Sequence, residues 1–546
     1  MPFDFFVFCK FVKSTNHLHQ FRYKNLGKDR YYMMNMFEYK KYDGIGLAKL
    51  VKNKEVHPKE LVELSISTIE EVNPKVNAVI NKMYERALDD ANKTDIKHIF
   101  AGVPILLKDM MQEVEGQSLT NGSKAYLNNR AKYDSEFVKR LRKTGVIFMG
   151  HTNVPEFGFA PVTEPKLYGP TRNPWNLNYT SGGSSGGASA AVVAGMVPIT
   201  GASDGGGSIR IPASYTGLFG LKPTRGRTPV GPNGRVWQGA AVNHVLTRTV
   251  RDSAAMLDLI SAPEKAGAFI APPFNGTFLE QVSTPMERVR IAFTLKSPLG
   301  MEVDPECRKA VLKTAKMLEN MGHVVEEKDP NINGLKLLKS YVPMFTSEAA
   351  AAVTLSEEAL GRKPRLSDVE LQTWIYKEIG QSLTAEDLIL GIREWDIASA
   401  TMENFHETYD LYLTPTTTVP PFRIGELSLS EMEKEVIQGI IESGGTVSSL
   451  LGQSVKKTLD TLSLTSLIHI PVVKKTLEAA AFTLLTNITG QPAISVPLHL
   501  TSDGLPCGVQ FISAKGKEDL LIRLAGFLEQ SPIWVDVNAH LIQKNK

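Results

Sequence analysis

The chain has 546 residues, 42% hydrophobic and 22% charged, with a formal net charge of +3. These values fit a soluble globular protein with a large core and exclude a disordered or fibrous chain; the near balance of charge, without a long Lys/Arg block, argues against a nucleic-acid surface. Cys9, Cys307 and Cys507 lie far apart and form no C-x-x-C pair, so neither a disulfide framework nor a zinc site is indicated, and a reducing cytoplasm fits.

Residues 3–12 are apolar but too few to span a bilayer, and Asp4 and Lys10 interrupt them. They run into Lys13, His17, His19, Arg22 and Lys24 instead of a small-residue cleavage site. Residues 1–35 therefore read as a poorly ordered extension, with Met33, Met34 and Met36 as alternative starts. Length alone suggests two to four domains and leaves one large α/β domain open.

In residues 58–72, Leu61, Leu64, Ile66, Ile69 and Val72 have helical spacing, and Pro58 sits where a missing N–H costs nothing. The run Val103-Pro-Ile-Leu-Leu-Lys108 is strand-like. Asp134 and Ser135 offer capping oxygens to a helix carrying Val138 and Leu141; Gly145 stops it, and residues 146–149 follow as a buried strand. Residues 190–200 suit a buried helix turning into a strand. Residues 289–295 form a strand, then Asp304-Pro305 caps a helix carrying Cys307, Val311, Ala315 and Leu318, closed by Gly322 before Val324-Val325. This alternation predicts an α/β layered fold around a mostly buried sheet. The chain shows no internal repeat.

Two Gly/Ser-rich stretches, residues 181–189 and 201–210, interrupt the alternation. Alone each would read as a linker, but apolar segments flank them and place them inside a core. Consecutive glycines let backbone N–H groups converge on an anion. A phosphate is disfavoured, because neither G-x-x-x-x-G-K-[ST] nor G-x-G-x-x-G is present. The oxyanion of an acyl intermediate is the alternative, with Gly205, Gly206 and Gly207 as donors just before a nucleophile, Ser208. A serine needs a base, yet the 11 histidines include none in a nucleophile-elbow or metal-ligand setting, and His151 reads as a polar histidine after a strand. Lysine can serve where burial disfavours its ammonium form. Lys108 closes an apolar strand; by itself it would be a lysine reaching for solvent.

Three segments read together resemble the amidase signature family: Gly102-Val-Pro-Ile-Leu-Leu-Lys108-Asp109, Gly182-Gly-Ser-Ser-Gly-Gly-Ala-Ser189 and Ser203-Asp-Gly-Gly-Gly-Ser208-Ile-Arg-Ile-Pro212, followed by Gly220-Leu-Lys-Pro-Thr-Arg-Gly226. Asn153-Val-Pro-Glu-Phe157, Arg172-Asn-Pro-Trp175 and Gly490-Gln-Pro-Ala-Ile-Ser-Val-Pro497 extend the resemblance from about residue 40 to 530. It implies one large mixed, twisted sheet covered on both faces by helices, in a single domain over 36–535 with its signature core near 90–225 and a C-terminal tail over 536–546. It also implies a Ser-cisSer-Lys triad of Ser208 as nucleophile, Ser184 as bridge after a cis Gly183–Ser184 bond, and Lys108 as base. Asp204 and Arg210 are expected to brace the loop by charge-assisted bonds.

The motif form is similar to the 6-aminohexanoate-cyclic-dimer hydrolase-like branch. The implied activity is hydrolysis of a carboxamide C–N bond without metal or organic cofactor. The expected partner is a small amide, with a homodimer left open and no nucleic acid or stable membrane anchor. A glutamine-hydrolysing amidotransferase subunit dependent on partner subunits is the alternative. Residues 427–477, carrying Ile437, Ile440, Ile441, Leu450, Leu451 and Leu459, read as helices packed on the core or as a lid over the substrate pocket within about 425–480.

Overall fold

The switches in apolar period along the chain become, in a computed structural model, strands and helices that share one sheet. Residues 34–429 and 471–539 are described, with 23–26, 29–32 and four single positions between 431 and 439. The strands of the sheet are β1 (Val79–Lys82), β2 (Pro104–Lys108), β3 (Ile147–Thr152), β4 (Ile199–Asp204), β5 (Phe219–Lys222), β6 (Val242–Thr247), β7 (Arg290–Phe293), β8 (Val324–Glu327), β9 (Leu411–Pro415), β10 (Ala493–Val496) and β11 (Val509–Ile512). Their spatial order is β8-β7-β9-β11-β10-β5-β6-β4-β2-β3-β1. β2 runs parallel to β3 and β4, and β7 runs parallel to β8 and β9. The other neighbours are antiparallel, so the sheet is mixed as the resemblance implies.

The helices used below are α1 (Pro58–Val76), α2 (Glu136–Arg142), α3 (Gly186–Val193), α4 (Arg210–Thr216), α5 (Pro305–Asn320), α6 (Gly334–Leu360), α7 (Leu371–Ser382), α8 (Ala385–His406), α9 (Pro471–Ala480) and α10 (Leu484–Thr489). Successive strand residues point to opposite faces, and both faces are covered. Ile494 and Phe511 pack into a cluster with Val311 of α5, whereas Ala493 and Ile512 share a cluster with Met344 of α6 and Trp395 of α8. β2, β3, β4 and β6 are buried at every position, so even their polar residues, such as Ser203, Asp204, Asn243 and His244, lie inside the fold.

The start signals place all three helices, but a side-chain cap bond forms at only two. His57 caps α1, which runs to Val76, and Asp304 Oδ1 accepts from the Glu306 N–H at 2.8 Å to cap α5. At α2, Ser135 is the cap residue but gives no side-chain cap bond. Asp134 instead accepts from the Glu115 N–H at 2.8 Å and pairs with Arg142 at 2.6 Å, a competing use of the same carboxylate.

At the N-terminus, residues 23–26 and 29–32 pair as an antiparallel hairpin, and Met34 is buried, its N–H donating to Glu60 Oε1 at 2.7 Å. Residues 1–22 and Met33 lie outside the described residues. Val537, expected in the tail, is buried in a cluster with Trp175. Ile437, Ile440, Ile441, Leu450, Leu451 and Leu459 of the expected lid also lie outside the described residues, but Leu427 and Ala479 pack with Val162 and Ile211. Among the described residues no helix is long and apolar enough to cross a membrane.

Candidate active site

β2 and β4 are parallel neighbours, with Ile105 opposite Ile199 and Leu106 opposite Thr200, so their C-terminal ends emerge side by side. Lys108 ends one strand and Asp204 the other, which brings the lysine to the loop that carries Ser208. The loop before α3 reaches the same place because Gly183 passes against the backbone of Val162, where a Cβ would lie 2.6 Å from the Val162 nitrogen. The Gly183–Ser184 bond is cis.

Lys108 is fully buried, and its Nζ lies 2.8 Å from Ser184 Oγ and 2.9 Å from Ser203 Oγ, with the Ser203 carbonyl at 3.4 Å. Burial disfavours its ammonium form and brings the amine down to about 7, although the charge of Asp204 pulls the other way. Gln112 fixes the strand end by accepting the Lys108 N–H at 2.8 Å and donating to the Ala202 carbonyl at 3.2 Å.

Asp204 and Arg210 form a fully buried bidentate pair, with both N···O distances 2.9 Å. Burial opposes the carboxylate, but the Arg210 guanidinium beside it outweighs this and holds Asp204 well below the usual range. Arg210 further donates to the Thr483 carbonyl, Thr486 Oγ1, Gln510 Oε1 and Asn487 Oδ1 at 2.6–2.9 Å, so its charge is shared among five acceptor groups. The pair spans the loop from end to end.

Gly207 departs from its expected role: its N–H donates to Asp204 Oδ1 at 2.7 Å and so faces back into the loop's own carboxylate. Among the described residues no protein acceptor takes the N–H groups of Gly205 and Gly206. Ser208 is partly exposed just before α4. His151 is buried, held between the Gln112 carbonyl and Asn81 Nδ2 at 3.1 Å each, and burial takes it down to about 4 despite the carbonyl contact. It packs as a neutral polar group behind β2.

An aromatic wall stands beside the loop. Phe159, Trp237, Tyr341, Phe345 and Tyr376 contact one another with ring centroids 5.0–6.3 Å apart. Trp237 lies close enough to Gly205 that a Cβ there would meet Cε3 at 2.7 Å. On the Phe159 side a cavity of about 190 Å³ is lined by Phe159, Val162, Tyr376 and Leu427, and a Cβ on the adjacent Gly158 would lie 3.3 Å from Ser184 Oγ. A second cavity of about 470 Å³ adjoins it through Glu156, Lys166, Glu370 and Leu371. Burial, with Glu370 adding to it, pushes Glu156 up to about 7.

Sequence reasoning missed Ser203, Tyr341, Thr483 and Asn487. Ser203 carried a signal, since it opens the second glycine motif; Asn487 sits three positions before Gly490 of a quoted motif. Tyr341 and Thr483 carried none.

Residues 60–444 match the Amidase family model. The chain is 34% identical over 512 residues to the 6-aminohexanoate-cyclic-dimer hydrolase of Pseudomonas sp. (strain NK87), covering 92% of this chain and 97% of the relative. It is 34% identical over 500 residues to a lipoamidase of Enterococcus faecalis, covering 90% of this chain and 64% of that protein. A solved 6-aminohexanoate cyclic dimer hydrolase complexed with substrate superposes with a TM-score of 0.79 at 33% identity, over 91% of this chain and 97% of that one. A chain with this buried lysine–serine pair and this extent of similarity belongs to the amidase family. It is a hydrolase acting on C–N bonds of amides.

Proposed function

We propose that the chain hydrolyses amides through an acyl-enzyme on Ser208, with Ser184 as proton bridge and Lys108 as base. The observation that carries this reading is the 2.8 Å contact between Lys108 Nζ and Ser184 Oγ in a fully buried setting. A neutral amine has two N–H donors and one lone pair. With the donors given to Ser203 Oγ and the Ser203 carbonyl, the lone pair is left for the Ser184 hydroxyl proton.

Ser208 then attacks the amide carbonyl as its proton passes through Ser184 to Lys108. The N–H groups of Gly205 and Gly206 receive the oxyanion, with Gly207 turned to Asp204. The relay reverses to protonate the leaving amine, and water releases the acid from Ser208 by the same route. Asp204 and Arg210 hold the loop's shape and take no proton.

The substrate class is an amide with an extended aliphatic acyl chain, supported by the aromatic wall and by relatives named for a cyclic aminohexanoate dimer and as a lipoamidase. The amidotransferase alternative is not favoured, because the relatives at 34% identity over nine-tenths of the chain are named for amide hydrolysis. An alkyl fluorophosphonate tests the reading on the purified chain alone. Peptide mapping is expected to find the label on Ser208, with labelling lost in Lys108→Ala; a label elsewhere, or labelling independent of Lys108, overturns it.

A further inference from the structure

The glycine loop is gripped from its outer side. Three successive carbonyls each accept a hydrogen bond from the second half of the chain: Asp204 O from Asn487 Nδ2 at 3.1 Å, Gly205 O from the Tyr341 hydroxyl at 3.1 Å, and Gly206 O from Thr483 Oγ1 at 2.7 Å. In a trans peptide the C=O and N–H point to opposite sides, and the bonds of this loop are trans. Holding the Gly205 carbonyl outward therefore turns the Gly206 N–H inward. Asn487 does the same for the Gly205 N–H through the Asp204 carbonyl. The Gly206–Gly207 peptide is fixed at both ends, by Thr483 on its carbonyl and Asp204 on its N–H.

We propose that Tyr341 of α6 and Thr483 at the start of α10 are positioning residues that clamp successive carbonyls of the glycine loop, Tyr341 presetting the Gly206 N–H as an oxyanion donor and Thr483 locking the adjoining Gly206–Gly207 peptide that holds Gly206 from its other side. The clamp explains why side chains are excluded from the loop: a Cβ on Gly206 would lie 3.0 Å from the Tyr341 hydroxyl, and one on Gly207 would strike Thr483. It also gives the second half of the chain, which carries no member of the triad, a part in the reaction. Donors fixed before charge develops stabilise the transition state more than the bound substrate. Loss of the clamp is therefore read in kcat and not in KM. The inference rests on the acyl-enzyme reading.

Tyr341→Phe keeps the ring that stacks on Phe345 at 5.9 Å and removes only the hydroxyl. Thr483→Val removes the second hydroxyl at constant shape, and Thr483→Ser restores it. Asn487 is unsuited to the test because it also bonds Asp204 Oδ1 and Arg210. Each variant is assayed with hexanoic acid 4-nitroanilide, and inhibited with a hexyl trifluoromethyl ketone, whose carbonyl accepts the serine oxygen as a hemiketal oxyanion, and with the matching methyl ketone. Tyr341→Phe and Thr483→Val are expected to lower kcat about tenfold with KM within about twofold, and to raise the Ki of the trifluoromethyl ketone about tenfold while sparing the methyl ketone. Thr483→Ser is expected to recover kcat to within about threefold of wild type. Unchanged kcat in both hydroxyl-deleted variants, or a loss shared equally by KM and the methyl ketone, overturns the clamp. A wild-type enzyme that forms no Ser208 adduct with the trifluoromethyl ketone overturns the acyl-enzyme reading beneath it, and does so before any variant is compared.

Discussion

Lys108 Nζ lies 2.8 Å from Ser184 Oγ across 76 positions of sequence, and burial holds that amine down to about 7. A base must be unprotonated to work, so kcat/KM is expected to fall as pH drops through about 7, with a single acid limb. Lys108→Ala is expected to lower kcat/KM by about 10³-fold or more, and Lys108→Arg to give no rescue, because guanidinium stays charged. A pH–rate profile from pH 5 to 9 checks the limb; an acid limb in the usual carboxylate range would assign the base to another group.

The same burial makes Lys108 costly to the fold. Unfolded, its amine titrates near ~10.4, so between about 7 and ~10.4 the unfolded chain binds the extra proton. The destabilisation is therefore full below pH 7 and shrinks as pH rises towards ~10.4. Lys108→Met is expected to be more stable than wild type, with an advantage at pH 6 exceeding that at pH 9 by on the order of 2 kcal/mol. Denaturant unfolding at the two pH values measures it.

Arg210 has its charge neutralised by Asp204 alone among the acceptors around it; the other contacts are neutral oxygens. Asp204→Ala leaves that guanidinium buried and unpaired, which is expected to destabilise the chain by about 3–5 kcal/mol. It also frees the Gly207 N–H and loosens the loop, so kcat should fall in whatever fraction stays folded. Urea midpoints for Asp204→Ala and Arg210→Met, compared with their double variant, check the coupling; additive effects would contradict it.

Phe345 stands at the centre of the aromatic wall, touching Phe159, Trp237, Tyr341 and Tyr376. Phe345→Ala is expected to raise KM about tenfold for a long-chain aliphatic amide and to leave acetamide-length substrates within about twofold, since a short acyl group has few methylenes to pack on the ring. A series of anilides differing by two methylenes reads this as a flattened dependence of kcat/KM on chain length.

The parts of the fold legible in sequence were those written in local chemistry. Pro58 with the apolar spacing that follows marked α1, and Asp304-Pro305 marked α5 to within a residue. Asp134 misled because a carboxylate near a helix start serves equally well as the partner of an arginine two turns on, and Arg142 takes it. Lys108, Ser184 and Asp204 with Arg210 were legible only in combination, since each alone has a commonplace reading. Gly207 shows the limit: three consecutive N–H groups look alike in sequence, and which one turns back to Asp204 is decided by the peptide planes. Tyr341 and Thr483 reach the loop from 136 and 277 positions away with no motif around them, so only the folded chain reveals their carbonyl contacts.

The central claim is the covalent acyl-enzyme on Ser208, and the direct measurement is the mass of the enzyme acid-quenched during turnover of 4-nitrophenyl hexanoate. The account predicts a hexanoyl adduct that maps to Ser208, builds up in a burst matched by 4-nitrophenol, and is absent in Ser208→Ala. Turnover at the wild-type rate by Ser208→Ala, or an adduct on a different residue, would contradict it.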